Sequence, residues 1–332
     1  MSIALKHVTL LILVILISCK QEKKEPLPSK VPSQESTIRH AQGFTMEKSG
    51  SGMTIIKITS PWPDAESGFT YALVSKDKMA AMTLNKDEYD AIVAVPVERL
   101  VVTSTTHIPA LEALGVLDKL VGFPDTEYIS SDTARNLIDK GHIKELGNNE
   151  SINTEMVIEL NPELVVGFSI SSENKAYETL QRANIPVVYN GDWTEKTPLG
   201  KAEWIKFFAP FFGMEKKADS IFKEIEEAYS HAKALAQNAE TKPTVLSGAM
   251  YKDVWYMPQG DSWAAQFIND ANGDYLWKDS EGTGSIALNI ESVIEKGQNA
   301  NVWIGPGQFT SKQQLLDANN AYAQFVPMKT DS

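Results

Sequence analysis

The chain has 332 residues, a formal net charge of −12 and a single cysteine. That acidic balance argues against nucleic acid or an anionic membrane surface as partner, and one cysteine excludes an internal disulfide and any cysteine-based metal cluster. The only arginines are Arg39, Arg99, Arg135 and Arg182, too few for a site that grips a highly charged anion with bidentate forks.

In chain order, Lys6 and His7 precede an apolar run from Val8 to Ile17 that ends at Ser18-Cys19. The run is too short to span a bilayer and fits the core of an export signal. Leu16-Ile17-Ser18-Cys19 resembles a bacterial lipobox, which implies cleavage after residue 18 and lipidation of Cys19. Residues 19–40, rich in Lys, Glu, Gln, Pro and Ser, read as a disordered tether. The ~290 residues that remain exceed one typical hydrophobic core and suggest two lobes.

Residues 41–95 carry short β-like runs, Met53–Ile58 and Tyr71–Val74, separated by turn residues. An alternation of apolar strands and amphipathic helices follows. Arg99–Thr103, Leu120–Phe123, Leu164–Phe168 and Val187–Tyr189 are the strands, and a helix from Pro109 is expected to stop at Gly115. Such a series predicts a mainly parallel sheet flanked by helices. Between 214 and 239, apolar or small residues recur with helical period, including Ala218, Phe222, Ile225, Tyr229 and Leu235. That stripe predicts one helix on the order of 35 Å long. New strands follow it, Thr244–Ser247 and Asn301–Gly305, so the helix is read as a bridge. The expected organisation is an α/β first lobe over 41–197, a linker with the long helix over 198–240 and a second α/β lobe over 241–332.

Asn153-Thr-Glu-Met-Val-Ile-Glu159 and Asn289-Ile-Glu-Ser-Val-Ile-Glu295 share five of seven residues, and each runs into an apolar strand closed by glycine. The repeat points to two lobes of like construction.

From about residue 97 onward, four stretches occur in a characteristic order. They are Glu98–Val102, Ala113–Gly122, Gly147 with Asn153-Thr154-Glu155, and Asn161–Val165. Together with Pro198–Trp204, they resemble the helical-backbone class of periplasmic binding proteins, which serve ATP-driven importers of vitamin B12, ferric siderophores and haem. The resemblance implies no enzymatic activity and no cofactor. It implies a metal chelate as cargo, a permease as partner, an extracytoplasmic place with only the lipid touching the membrane, and a monomer. It also implies that Glu155 and Glu291 dock the two lobes on the permease. The family usually adds a strand and a helix beyond the position of Val326, so a sequence ending at Ser332 leaves the second lobe expected to be short.

Ligands of parallel α/β sheets lie beyond the carboxyl ends of the strands. The candidates there are Ser104, Thr105, Thr106, His107, Phe168 and Trp193 in the first lobe, and Tyr251, Trp255 and Trp263 in the second. Hydroxyls beside aromatic faces suit a large, flat, partly apolar chelate. A hydroxamate siderophore, a corrinoid and haem, the last with His107 as an axial ligand, all stay open. Two rivals are a carrier of free Zn²⁺ or Mn²⁺ and a hydrolase using Ser262 of Gly260-Asp261-Ser262. The first needs more histidines than His107 and His142 supply outside tether and long helix. The second needs a histidine downstream of the serine, and the last is His231.

Overall fold

The computed structural model describes residues 38–330, apart from 50, 51, 64, 83, 150 and 308. The signal segment, Cys19 and nearly all of the expected tether lie outside these residues. All that follows belongs to one compact unit within 33–332.

Strands β1 (Phe44–Lys48), β2 (Thr54–Ile58), β3 (Phe69–Ser75) and β4 (Ala91–Val95) form a sheet in that order, antiparallel except for the β3–β4 pair. Next come β5 (Leu100–Val102), β6 (Leu120–Phe123), β7 (Lys144–Glu145), β8 (Leu164–Gly167) and β9 (Val187–Tyr189). They build a parallel sheet in the order β7-β6-β5-β8-β9. The chain winds outward from β5 first to one side and then to the other. A crevice therefore opens at the carboxyl end of β5, where the winding reverses. The expected helix stop is present: the helix Ile108–Leu114 ends on Gly115 with φ 73°, a left-handed cap glycine adopts without strain.

The second lobe contains β10 (Thr244–Ser247), β11 (Ala249–Tyr251), β12 (Val254–Pro258), β13 (Asp274–Tyr275), β14 (Ser285–Leu288) and β15 (Val302–Ile304). A parallel sheet β13-β10-β15 sits with an antiparallel sheet β11-β12-β14. The fold is thus α/β with two lobes bridged by one long helix, Glu215–Gln237.

That spine helix serves each lobe with a different end. Near its start Ala218 and Phe222 are buried in the first lobe's core. Further along, the Tyr229 hydroxyl donates to Asp270 Oδ2 at 2.6 Å and Lys233 pairs with Asp270 Oδ1 at 2.9 Å. Asp270 ends the helix Trp263–Asp270 of the second lobe. Of the apolar stripe read from the sequence, Ile225 and Leu235 remain exposed. Helical period fixes a face, while cover depends on what lies beneath each turn. The segment before the spine is no free connector either. Trp204, Phe207, Phe208 and Phe211 are buried among first-lobe side chains.

Candidate functional site: a recess at the carboxyl ends of β5, β6 and β8

Thr103, directly after β5, organises the recess. The Phe168 N–H donates to Thr103 Oγ1 at 2.8 Å, Thr103 Oγ1 lies 2.8 Å from the Tyr177 hydroxyl, and that hydroxyl donates to the Phe168 carbonyl at 2.9 Å. If Thr103 donates to Tyr177, every donor in the ring has one acceptor and none is wasted. Tyr177 reaches this position only because Gly167 has no side chain: a Cβ there would stand 2.7 Å from the Tyr177 ring. The glycine closing the strand is thereby explained. Burial pushes the Tyr177 phenol far up, so it stays a neutral donor.

A second wall comes from the loop after β6. Glu145 accepts from the Asp125 and Gly147 N–H groups at 3.0 Å, from the Thr126 N–H at 2.9 Å and from the Thr126 hydroxyl. Burial pushes this carboxyl up, but those bonds outweigh it and hold it below the usual range. Asp125, left-handed at φ 51°, then opens the turn Thr126–Tyr128.

Between these walls lies a recess of about 220 Å³, lined by Thr103, Ser104, Thr105 and Phe168 on one side. Phe123, Asp125, Tyr128 and Asn149 line the other. Tyr128 is 63 % exposed, and its phenol is raised first by the charge of Glu127 and next by the neighbouring Tyr251 phenol. Tyr251 is in the β11–β12 hairpin, so a second-lobe residue lies within electrostatic reach of the recess mouth.

The sequence-derived candidates separate into three groups. Ser104, Thr105 and Phe168 line the recess; Trp193 packs on Phe168 with ring centroids 5.5 Å apart. Tyr251 is exposed near the mouth. Thr106 turns away and donates to Asp192 Oδ1 at 3.1 Å. Asp192 Oδ2 in turn pairs with Lys201, whose Nζ lies over the Trp263 ring. Thr106 and Trp263 thus mark a connection between the lobes rather than the recess wall.

Two candidates must be corrected. His107 is 0 % exposed and packs on Phe208 at 5.5 Å, with neither ring nitrogen hydrogen-bonded. Burial lowers its pKa to about 4, with Asp192 opposing and Lys201 adding to the effect, so the imidazole is neutral and sealed away from an axial position. Trp255 is also 0 % exposed, in a cluster with Trp303, Tyr322 and Phe325 at 5.4–5.6 Å. Its indole N–H donates to the Ser247 carbonyl at 3.0 Å. It offers a ligand no surface.

Sequence reading missed Phe123, Asp125, Tyr128, Asn149 and Tyr177. Phe123 ends β6, and Asp125, Tyr128 and Asn149 lie in the loops after β6 and β7, so the rule that picked Ser104 could have nominated all four. Ser262 of the hydrolase reading is a helix cap: its hydroxyl donates to the Gln259 carbonyl and accepts from the Ala265 N–H, and it is 3 % exposed. His107 is buried while His142 is exposed, so the two histidines of the free-metal reading do not share a surface. Among the described residues no helix is long and apolar enough to cross a membrane.

The family model for periplasmic binding proteins matches residues 100–326. The chain belongs to the periplasmic binding protein family. This binding protein is 27% identical over 248 residues to uncharacterized lipoprotein MJ0878 of Methanocaldococcus jannaschii, covering 72% of this chain and 59% of that one. It is 28% identical over 252 residues to uncharacterized lipoprotein MJ0872 of the same organism, covering 72% and 63%. The chain therefore spans about three fifths of the length of these relatives. Its fold is shared with the periplasmic heme binding protein HutB of Vibrio cholerae, with TM-score 0.55, 18% identity and coverage of 70% and 87%. The same holds for an ABC-type Fe3+-hydroxamate transport system protein from Saccharomonospora viridis, with TM-score 0.56, 17% identity and coverage of 71% and 84%. At such identities the likeness is one of fold.

Proposed function

We propose that this binding protein is the capture component of an ATP-driven importer, lipid-anchored through Cys19 and facing outward from the membrane. It takes a ferric siderophore or corrinoid chelate between its lobes and hands it to a permease, without chemistry of its own. The observation that carries the reading is the recess at the reversal point of the parallel sheet, with Tyr251 of the other lobe near its mouth. A flat chelate meets hydroxyls and an aromatic wall on one side and an exposed tyrosine on the other. The named ligands of the structures sharing its fold, heme and Fe3+-hydroxamate, support the cargo class.

Delivery is assigned to the repeated motif. Asn153 caps one helix by accepting from the Met156 N–H at 3.0 Å, and Asn289 caps the other by accepting from the Ser292 N–H at 2.8 Å. Val157 and Val293 are each buried beneath, and Glu155 and Glu291 are both exposed in the first turn. One acidic knob per lobe lets a basic partner read both lobes at once. The limited interlobe motion that a rigid spine permits makes small hinge changes the expected signal of loading.

The test is uptake of labelled chelate by cells that express the full chain with its permease. The double variant Glu155→Gln/Glu291→Gln is expected to bind chelate unchanged and to lose uptake by at least about tenfold, the scale of two charge-assisted contacts. Unchanged uptake would remove the docking role. Protein without Cys19 is expected in the soluble fraction, and its continued sedimentation with membranes would remove the anchor.

A further inference from the structure

We infer that the outward face of the sheet β11-β12-β14, centred on Tyr256, is the second wall of the ligand site and stacks a flat ring face of the cargo. This rests on the capture reading above and names the surface that holds the body of the ligand.

The register of β12 decides which side chains make that face. Trp255 and Met257 turn into the second-lobe core, so Val254, Tyr256 and Pro258 turn the other way. Tyr256 stands opposite Ala249 on one side and Ala287 on the other, and Tyr251 stands opposite Val254. Directly opposed residues share a face, which makes Tyr251 and Tyr256 diagonal neighbours about 7–8 Å apart. β12 is the middle strand of its sheet, yet Tyr256 is 47 % exposed, since its two partners carry only methyl groups. A shift of one residue inverts the face, so Trp255 is sealed in the core while the tyrosine next to it is open.

The strand is held across the first lobe at both ends. At its hairpin end, Tyr251 is within electrostatic reach of Tyr128 in the loop after β6. Its other end leads through residues 259–262 to Trp263, which Lys201 ties to Asp192 just after β9. Three strand spacings separate β6 from β9, about 14 Å, and the rise along β12 from Val254 to Pro258 is also about 14 Å. β12 therefore crosses the carboxyl ends of the first-lobe strands. Its own core lies behind it, and Tyr256 at mid-strand is turned toward the first lobe.

Size divides the work between the two walls. The recess holds about 220 Å³, below the ~300–1,000 Å³ of pockets that enclose a small ligand. A metal chelate therefore inserts an edge group and leaves its body above the mouth, against the tyrosine face. Two aromatic rings on a sheet surface of small side chains give a planar body a wide dispersion contact. A compact free ion would meet neither wall.

The test is equilibrium titration of the full chain in detergent with two ring-bearing probes, cyanocobalamin and haemin, and with ferrioxamine B, which presents no conjugated plane. Tyr256→Ala is expected to weaken the tighter ring-bearing probe about tenfold, the upper end of an aromatic stacking contact, without moving the thermal melt. Tyr256→Phe, which keeps the ring, should stay within about twofold of wild type. Ala287→Gln, which crowds the same face, should weaken binding as well. Unchanged affinity in Tyr256→Ala or Ala287→Gln, a Tyr256→Phe as weak as Tyr256→Ala, or binding of ferrioxamine B alone would overturn the stacking face while leaving chelate capture standing. Failure of all three probes to bind would overturn both.

Discussion

Lys201 places its ammonium 5.1 Å from the centre of the Trp263 ring while pairing with Asp192 Oδ2 at 3.4 Å. Asp192 follows β9 of the first lobe and Trp263 opens a helix of the second, so one lysine ties a carboxylate to an aromatic face across the two lobes. Thr106 adds its hydroxyl to the same aspartate, which connects the tie to the loop that lines the recess.

Removing that cation therefore has two expected effects. Lys201→Met leaves Asp192, only 8 % exposed as a side chain, without its counter-charge and should destabilise the protein by about 2 kcal/mol. A double-mutant cycle with Trp263→Leu should give a coupling energy of about 0.5 kcal/mol or more. Additive effects in urea melts would show that the ring and the cation do not interact.

The buried His107 sets an expected pH dependence. Its folded pKa of about 4 lies below the usual 6.5, so on acidification the unfolded state takes up a proton that the folded state resists. Stability is unaffected by this group above pH 6.5 and is lost as pH falls from 6.5 toward 4, by on the order of 3 kcal/mol at the lower end. Glu145, held below its usual value, gives up its own contribution only as pH drops through the carboxylate range. His107→Leu should flatten the slope of stability between pH 6.5 and 4 by about one proton and leave the lower region alone. An unchanged slope in chemical denaturation at several pH values would contradict the burial of this imidazole.

Two neighbouring aromatics should behave in opposite ways. Tyr251→Ala, at an exposed hairpin, is expected to change stability by no more than about 0.5 kcal/mol and to weaken chelate binding. Trp255→Ala, in the aromatic cluster beneath the same hairpin, should cost about 4 kcal/mol. Thermal melts and ligand titration of the pair check both statements.

The chain's entry into the folded body is fastened by two buried carboxylates. Glu203 accepts backbone N–H groups of Arg39, His40 and Ala41 at 2.6–3.1 Å, and Glu195 accepts those of Gln42 and Gly43 at 2.9–3.1 Å. Charge-assisted bonds of this kind are among the stronger ones. Glu203→Gln is expected to cost about 3 kcal/mol and to expose the bond after Arg39 to trypsin. Cleavage there at the wild-type rate would mean that the clamp is not what orders this segment.

Much of this was legible in the sequence because it is local. Apolar runs marked the strands, Gly115 marked a helix stop, and the repeated motif marked two like units, whose asparagines the structure shows capping a helix each through the same relative N–H. What stayed hidden depends on contacts distant in sequence. Trp255 looks like a cleft residue until Trp303, Tyr322 and Phe325 close over it. Glu195, near the end of the first lobe, and Glu203, in the linker, look like surface acids until the chain more than 150 residues earlier returns to them. Asn149 and Tyr128 sit in loops with no periodic pattern, and only the convergence of β5, β6 and β8 makes them neighbours.

Capture of a chelate between the lobes is read out by intrinsic tryptophan fluorescence of the full chain in detergent. Titration with ferric hydroxamate, cyanocobalamin and haemin, with free Zn²⁺ as control and correction for ligand absorption, should show saturable quenching at about micromolar concentration or below, by a chelate and not by Zn²⁺. A folded protein that responds to none of the chelates would contradict chelate capture.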